Sequence, residues 1–103
     1  MASIFKLGGI PVDAKSKFTA NHIATATTTV VLTGSGTLHA LTVNTTAAGA
    51  ITIYDNTAGS GTVIAIFPNS AVVGTYLYDV AVGTGITIVT AAASDITISF
   101  RAD

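Results

Sequence analysis

Two copies of a Gly-Ser-Gly-Thr sequence, at 34–37 and 59–62, are the first candidates for chemistry in this chain. A glycine-rich loop that binds phosphate needs a Lys-Ser or Lys-Thr pair and then a helix, whose N–H groups converge on the anion. Neither copy has a Lys or Arg nearby, and both lead into β-branched sequence, "TLHALTV" and "TVIAI". We therefore predict that both copies are hairpin turns, in which glycine adopts positive φ at little cost.

Two aspartates, Asp55 and Asp79, are the candidates for a catalytic pair of carboxylates, since each follows a tyrosine, in "IYDN" and "LYDV". General acid–base catalysis needs such groups to converge across a cleft, and glycosidases line that cleft with aromatic rings. This chain has no Trp, and aromatic residues make up 7% of it. We predict that Asp55 ends a strand or begins a turn. Asp79 is predicted to meet a cross-strand or an inter-subunit partner.

Metal and nucleophile chemistry finds little support in the remaining polar residues. His22 has no Cys, His or Glu at the spacing of a metal site. His39 shares a face with Leu41 and Val43 in an alternating strand, which predicts an interior histidine. The stretch "DNTAGSG" lacks the alternating acidic ligands of a calcium loop, and no Gly-x-Ser-x-Gly motif marks a nucleophile. We predict no catalytic residue, no metal site and no cofactor, so the chain is not expected to be an enzyme.

Composition sets the class of protein. The chain has 103 residues, the length of one small domain, and is 50% hydrophobic but only 9% charged, against roughly 25% in an average soluble domain. Its longest uncharged stretch, 23–54, is broken by glycines and rich in Thr, so no membrane helix or secretory signal is predicted. The absence of Cys excludes a disulfide framework and leaves the compartment open. We expect apolar surface to be buried between subunits.

The charges are distributed unevenly along the chain. Three lysines lie within the first 17 residues, whereas from residue 27 onward Arg101 is the only cation. Residues 1–26 show no sustained periodicity and contain "KLGGIPVDAKSKF", which predicts an extended N-terminal arm. The lysines either keep a loose end solvated or reach an acidic neighbour. Nucleic acid is not a predicted partner, because three lysines form neither a basic stripe nor a stacking platform.

Seven short β-branched runs follow the arm at a spacing of about ten residues, separated by glycine or by Asn and Asp. This pattern predicts an all-β fold over residues 27–103, a single antiparallel sandwich of jelly-roll-like form. Alternation places Ile51 and Ile53 inward, and it leaves threonines such as Thr87 on a wet outer face. The predicted strands are 27–33, 37–45, 50–55, 62–67, 75–82, 86–91 and 95–101.

Two of these runs, "TVIAIF" and "LYDVAV", are apolar on both faces. Uncharged strands at a sheet edge favour aggregation unless something covers them, either an oligomer or the N-terminal arm. We therefore predict that a neighbouring subunit buries these runs. The interface candidates are Val63, Phe67, Leu77 and Asp79.

The run "SGTLHALTVNTTAAGAITIYDNTAGSGTVIAIF", followed by "GTYLYDVAVGTGITIVTAAASDITISFR", resembles small bacteriophage virion proteins. The resemblance covers about residues 27–101, is strongest over 51–64, and carries over no binding residues. It implies a head decoration or cement subunit, located in the virion and bound to the major capsid protein or another virion protein. A homo-oligomer fits such a role, and a trimer would match the local three-fold positions of a capsid.

In that interpretation the arm lies across the capsid or a neighbouring subunit. Its predicted contact residues are Phe5, Lys6, Ile10, Lys15, Lys17 and Phe18. Two alternatives remain open. A tail or neck module would bind a receptor or carbohydrate through the loops 57–61 and 83–85 at one end of the sandwich. A capsid or adhesion domain of a cell surface would lack the virion context.

Overall fold

Eight antiparallel strands and no helix make up residues 18–103, which are the residues described by the computed structural model. They form two four-stranded sheets, sheet A in the order β1-β8-β3-β6 and sheet B in the order β2-β7-β4-β5. The strands are β1 (Thr19–Ile23), β2 (Thr27–Thr33), β3 (Gly36–Thr45), β4 (Ile51–Asp55), β5 (Thr62–Phe67), β6 (Gly74–Val82), β7 (Gly85–Thr90) and β8 (Asp95–Ala102). The predicted all-β antiparallel sandwich is confirmed.

Strand pairing shows a single long hairpin that has been rolled up. β1 pairs with β8, β2 with β7, β3 with β6 and β4 with β5, so the turn of the hairpin lies between β4 and β5. Pairing of β3 with β8 and of β4 with β7 then joins these pairs into the two sheets. Eight strands in two sheets with this order form a jelly roll, as the sequence pattern predicts.

One strand differs from the sequence analysis. β1 lies within the segment that we predicted to be an irregular arm, and it pairs with β8 over its whole length, from Thr19 with Phe100 to Ile23 with Ile96. The arm residues Phe5, Lys6, Ile10, Lys15 and Lys17 lie outside the described residues.

Aliphatic side chains at alternate strand positions fill the space between the sheets. Ile51 and Ile53 of β4 point inward, as do Ile96, Ile98 and Phe100 of β8, and the four isoleucines are almost completely buried. Because burying one such side chain stabilises a fold by about 1.5–3 kcal/mol, these rows fix which face of each strand is inside. The alternation read from the sequence is therefore confirmed for these strands.

The two Gly-Ser-Gly-Thr sequences differ in their structural role. The second copy lies at the β4–β5 hairpin, where Gly61 has a φ of 95°. The first copy connects β2 of sheet B to β3 of sheet A, so it is a corner between sheets and not the predicted hairpin turn. At that corner Gly34 has a φ of 104°, and its N–H donates to the Thr84 carbonyl across 2.9 Å.

Buried threonines are a second departure from the sequence analysis. Thr87 faces outward from β7 yet is completely buried, because the segment 56–61 covers it and its hydroxyl donates to the Asn56 carbonyl at 2.7 Å. Thr90, at the end of the same strand, is also buried. Its hydroxyl donates to the Thr25 carbonyl at 2.6 Å and accepts the Thr27 N–H at 3.0 Å, which fixes the connection from β1 to β2.

Replacement of Thr90 tests this connection. Thr90→Val keeps the shape of the side chain but removes its partly buried hydrogen bonds with the Thr27 N–H and the Thr25 carbonyl, which contribute about 0.5–1.5 kcal/mol each. Thr90→Ser keeps the hydroxyl and loses one methyl group, which costs about 0.8 kcal/mol. Urea unfolding should therefore rank the free energies of unfolding as wild type, then Ser, then Val. A Val variant as stable as the Ser variant would contradict the assignment.

Candidate functional site

The outer faces of the two sheets differ in charge. Within residues 18–103, the strands of sheet A carry five ionisable side chains of the His, Asp and Arg types, whereas the strands of sheet B carry one, Asp55. The five on sheet A are His22, His39, Asp79, Asp95 and Arg101. The molecule therefore presents two surfaces of different chemistry, and each can be examined as a candidate site.

A stack of side chains occupies one part of sheet A. The Phe18 ring lies flat on the His39 imidazole, with 3.9 Å between ring centroids and 12° between planes. Arg101 lies on β8, and its guanidinium carbon is 5.5 Å from the centroid of the Phe18 ring. His39 Nδ1 lies 2.5 Å from Asp79 Oδ1, at a distance where the ring N–H donates to the carboxylate. Asp79 thus has the cross-strand partner that was one of its two predicted alternatives.

A β-bulge places His39 on this outer face. Leu38 pairs with Phe100 and Ala40 with Ser99, so His39 is an extra residue of β3 between two consecutive residues of β8. On the other side of β3, His39 lies opposite two residues of β6. The bulge reverses the alternation, and the prediction that His39 shares the inner face of Leu41 is wrong. Both Leu38 and Leu41 are fully buried at an odd spacing, which an uninterrupted strand cannot achieve. That spacing of leucines is the sequence signal that could have revealed the bulge.

Backbone strain accompanies the bulge on the partner strand. Asp79 has a φ of 51°, in the left-handed region that non-glycine residues rarely adopt, although Asp is one of the residue types that tolerates it best. Its carboxylate is more than half exposed while paired with His39. The His39–Asp79 pair is therefore accessible to solvent and is not a buried ion pair.

The second histidine of the chain is paired in the same way. His22 Nε2 lies 2.6 Å from Asp95 Oδ1, and the Asn44 side-chain amide donates to the same oxygen at 3.1 Å. The hydrogen bond from His22, followed by that from Asn44, holds the pKa of Asp95 below its ordinary value. Sequence spacing contains no sign of this pairing, since His22 and Asp95 are 73 residues apart.

Asp55 organises one end of the sandwich. It is the last residue of β4, as predicted, and its carboxylate accepts N–H groups from Gly83, Thr84 and Gly85 at 2.9–3.2 Å. The bonds from Thr84 and Gly83 are the main cause of a lowered pKa for Asp55. Because Asp55 belongs to sheet B and Asp79 to sheet A, and each has its own partners, the structure does not bring the two carboxylates together as a pair.

The loops at this end also touch each other. A β-carbon on Gly85 would lie 3.1 Å from Thr57 Cγ2 and 3.2 Å from the Asn56 carbonyl oxygen, so the segments 56–61 and 83–85 pack side by side. A β-carbon on Gly59 would lie 2.9 Å from Val89 Cγ2, which shows that the first loop folds back onto sheet B.

The predicted interface residues lie in three different environments. Val63 is 45% exposed on sheet B, and Leu77 is 66% exposed on sheet A beside the His39–Asp79 pair. Phe67 is only 5% exposed and packs edge-on against Tyr76 and Tyr78, with centroids 4.8 and 6.2 Å away. The Phe67 side chain therefore belongs to the core of its own chain, where it closes the gap between β5 and β6.

The outer face of sheet B is uncharged, and the segment 56–61 covers part of it, at Thr87 and beside Val89 and Thr28. Strand register aligns Val30, Thr87, Tyr54 and Val63 in one row across the sheet. A neighbouring row consists of Thr28, Val89, Thr52 and Ile66. Ile66 is 64% exposed, more than any other apolar side chain of the two rows. We call these outward residues the apolar face: Thr28, Val30, Thr52, Tyr54, Val63, Ile66 and Val89.

Metal and membrane chemistry find no site in the described part of the chain. Among residues 18–103 no group of three His, Cys, Asp or Glu side chains lies close enough to hold a metal ion. The same residues contain no helix with the length and hydropathy needed to cross a membrane.

Comparison with known proteins identifies no relative. No protein-family model, no curated protein and no solved structure matches the chain.

The Phe18–His39 stack can be tested in solution. A ring current from Phe18 should shift the imidazole protons of His39 upfield, and Phe18→Ala should move them back toward their random-coil positions. His22 provides an internal control, because its proton signals should stay unchanged. Loss of the aromatic contact should also lower the free energy of unfolding by about 0.5–1.5 kcal/mol. Unchanged His39 signals in a two-dimensional spectrum would show that the stack does not persist.

The hydrogen bonds that the Asp55 carboxylate accepts from residues 83–85 predict a dependence of stability on pH. Since the folded-state pKa of Asp55 lies below its ordinary value of 3.8, its contribution is present above pH 3.8 and is lost as the pH falls through the lowered value. Asp55→Asn should therefore cost about 1 kcal/mol at neutral pH, a figure reduced for solvent screening, and progressively less in acid. Denaturant titrations from pH 7 to below the folded-state pKa measure this difference. Asp103→Asn, at the exposed chain end, is the control.

Proposed function

We propose that this chain is a non-enzymatic structural protein of a bacteriophage particle, which decorates or cements the capsid as a homo-oligomer. The observation that carries the proposal is the apolar face of sheet B, where Val30, Val63 and Ile66 are about half to two-thirds exposed. Monomeric proteins rarely leave continuous apolar patches in water, and such patches mark interaction surfaces. The resemblance of residues 27–101 to small phage virion proteins supports the same function.

The architecture suits attachment to a repetitive surface. Two sheets locked by an aliphatic core form a rigid plate with distinct faces, and jelly rolls recur in viral capsid and lectin domains. The fold alone assigns no function, so this recurrence adds only weak support. Several modest contacts per oligomer would combine into tight binding through multivalency. Trimerisation stays a prediction.

The N-terminal arm would supply a second contact. Phe18 stacks on His39 on the outer face of sheet A, and residues 1–17 precede it in the sequence. Their three lysines, Lys6, Lys15 and Lys17, would meet an acidic surface of the capsid or of a neighbouring subunit.

A tail or neck module is the second candidate. It is favoured by the contact between segments 56–61 and 83–85, which Asp55 holds together as one surface at the end of the sandwich. That surface offers Gly, Ala, Ser and Thr and lacks the aromatic side chains on which sugars stack. Decoration of the head is therefore the better supported function.

Copy number in purified phage particles separates the two candidates. We expect quantitative mass spectrometry to find this protein at a copy number comparable with that of the major capsid protein. A handful of copies per particle would instead place it in the tail or neck. Its absence from particles, in a preparation where other virion proteins are quantified, would overturn both candidates.

A further inference from the structure

We propose that the apolar face of sheet B is the contact between two copies of this chain, packed face to face with sheet A turned outward in both. This inference rests on the proposed function, to which it adds the interface itself. It assigns Ile66 and Val63 to the contact. It excludes Leu77 and Asp79, which lie on the opposite sheet.

Exposure and register identify the area available for contact. In the row Val30–Thr87–Tyr54–Val63 the segment 56–61 covers Thr87, while Val30 on one side and Val63 on the other remain about half exposed. Ile66 is 64% exposed on the same side as Val63. The strip along β4 and β5 is therefore the largest uncovered apolar part of this face. The folded-back segment 56–61 adds an uncharged ridge beside it.

Charge favours a second copy as the occupant. A two-fold contact brings identical residues together, so any unpaired charge on the surface would meet its own like charge. On sheet B the one strand-borne charge is Asp55, whose carboxylate is already bound by the N–H groups of 83–85. The apolar face can therefore meet its own copy without repulsion.

Packing the apolar face against sheet A would be less favourable. That arrangement would remove the His22–Asp95 and His39–Asp79 pairs and Arg101 from water. The apolar face would offer them a few hydroxyl groups of threonine and tyrosine and no opposite charge. Desolvation of charged groups without new hydrogen bonds is costly. A face-to-face contact of two B sheets leaves these charges hydrated, and aligned packing of such flat β-branched surfaces is the arrangement of β-sandwiches in general.

The size of the face sets the strength of the association. Four strands of about six residues, at ~3.3 Å per residue and ~4.8 Å between strands, give the whole sheet roughly 20 Å by 20 Å, and the segment 56–61 covers part of that area. The contact is therefore smaller than a standard interface of ~800 Å² per partner, so the pair should associate weakly and dissociate on dilution. On a particle, a high local concentration would favour the associated form.

Two matched lysine substitutions test the assignment on the full chain. Ile66→Lys places a charge on sheet B and Leu77→Lys places one on sheet A, at sites that are 64% and 66% exposed. Multi-angle light scattering coupled to size exclusion should show the wild type and Leu77→Lys moving from monomer to dimer mass as concentration rises. Ile66→Lys should remain monomeric over the same range. Val63→Lys is a second sheet B variant, and circular dichroism with thermal unfolding establishes that each variant is folded.

Four other results would contradict either the assigned interface or the proposed function. Loss of association in Leu77→Lys with retention in Ile66→Lys would overturn the assignment and move the contact to sheet A. A wild type that stays monomeric but needs Ile66 to bind phage particles would overturn it in favour of capsid protein as the occupant. A trimer that both variants leave intact would also overturn it. Dimerisation through Ile66 in a protein absent from particles would refute the proposed function while leaving the interface in place.

Discussion

Packing of isoleucine and leucine side chains between the two sheets is the interaction on which the other features depend. Because Ile51, Ile53, Ile96 and Ile98 must all face the core, the opposite side of each strand has to face outward. The sequence then decides what those outer positions carry. On sheet A they carry almost all charges of the described strands, and on sheet B they carry valine, isoleucine, tyrosine and threonine.

The bulge at His39 shows how one departure from strict alternation contributes a surface feature. His39 is one extra residue of β3 relative to β8, which keeps both Leu38 and Leu41 in the core and turns the imidazole toward Asp79 and Phe18. Without it, the same strand would bury either the histidine or a polar threonine. Core packing and the stacked cluster on sheet A are therefore two results of one local irregularity.

Much of the fold could be predicted from the sequence, because period-two alternation of Ile with Thr is a local signal. Strand β1 was missed, since "TANHI" has Ile23 as its only large apolar residue and pairs with β8 far away in sequence. Burial of Thr87 was missed for a related reason, as the loop that covers it comes from another part of the chain. The partner of Asp79 was left open, and register across the sheet was needed to decide it. None of these contacts has a sequence-local cause.

The topology of a single rolled hairpin also determines the order in which its strand pairs can form. The β4–β5 pair closes over a short turn, whereas β1 pairs with β8, and their contact between His22 and Asp95 spans 73 residues. Loop-closure entropy makes such distant pairings slow to form, so folding should be slow for a domain of this size. On the ribosome, sheet A cannot be completed until β8 has emerged. Until then β3 lacks its neighbour β8, and the inward isoleucines of sheet B lack Ile96 and Ile98 as packing partners.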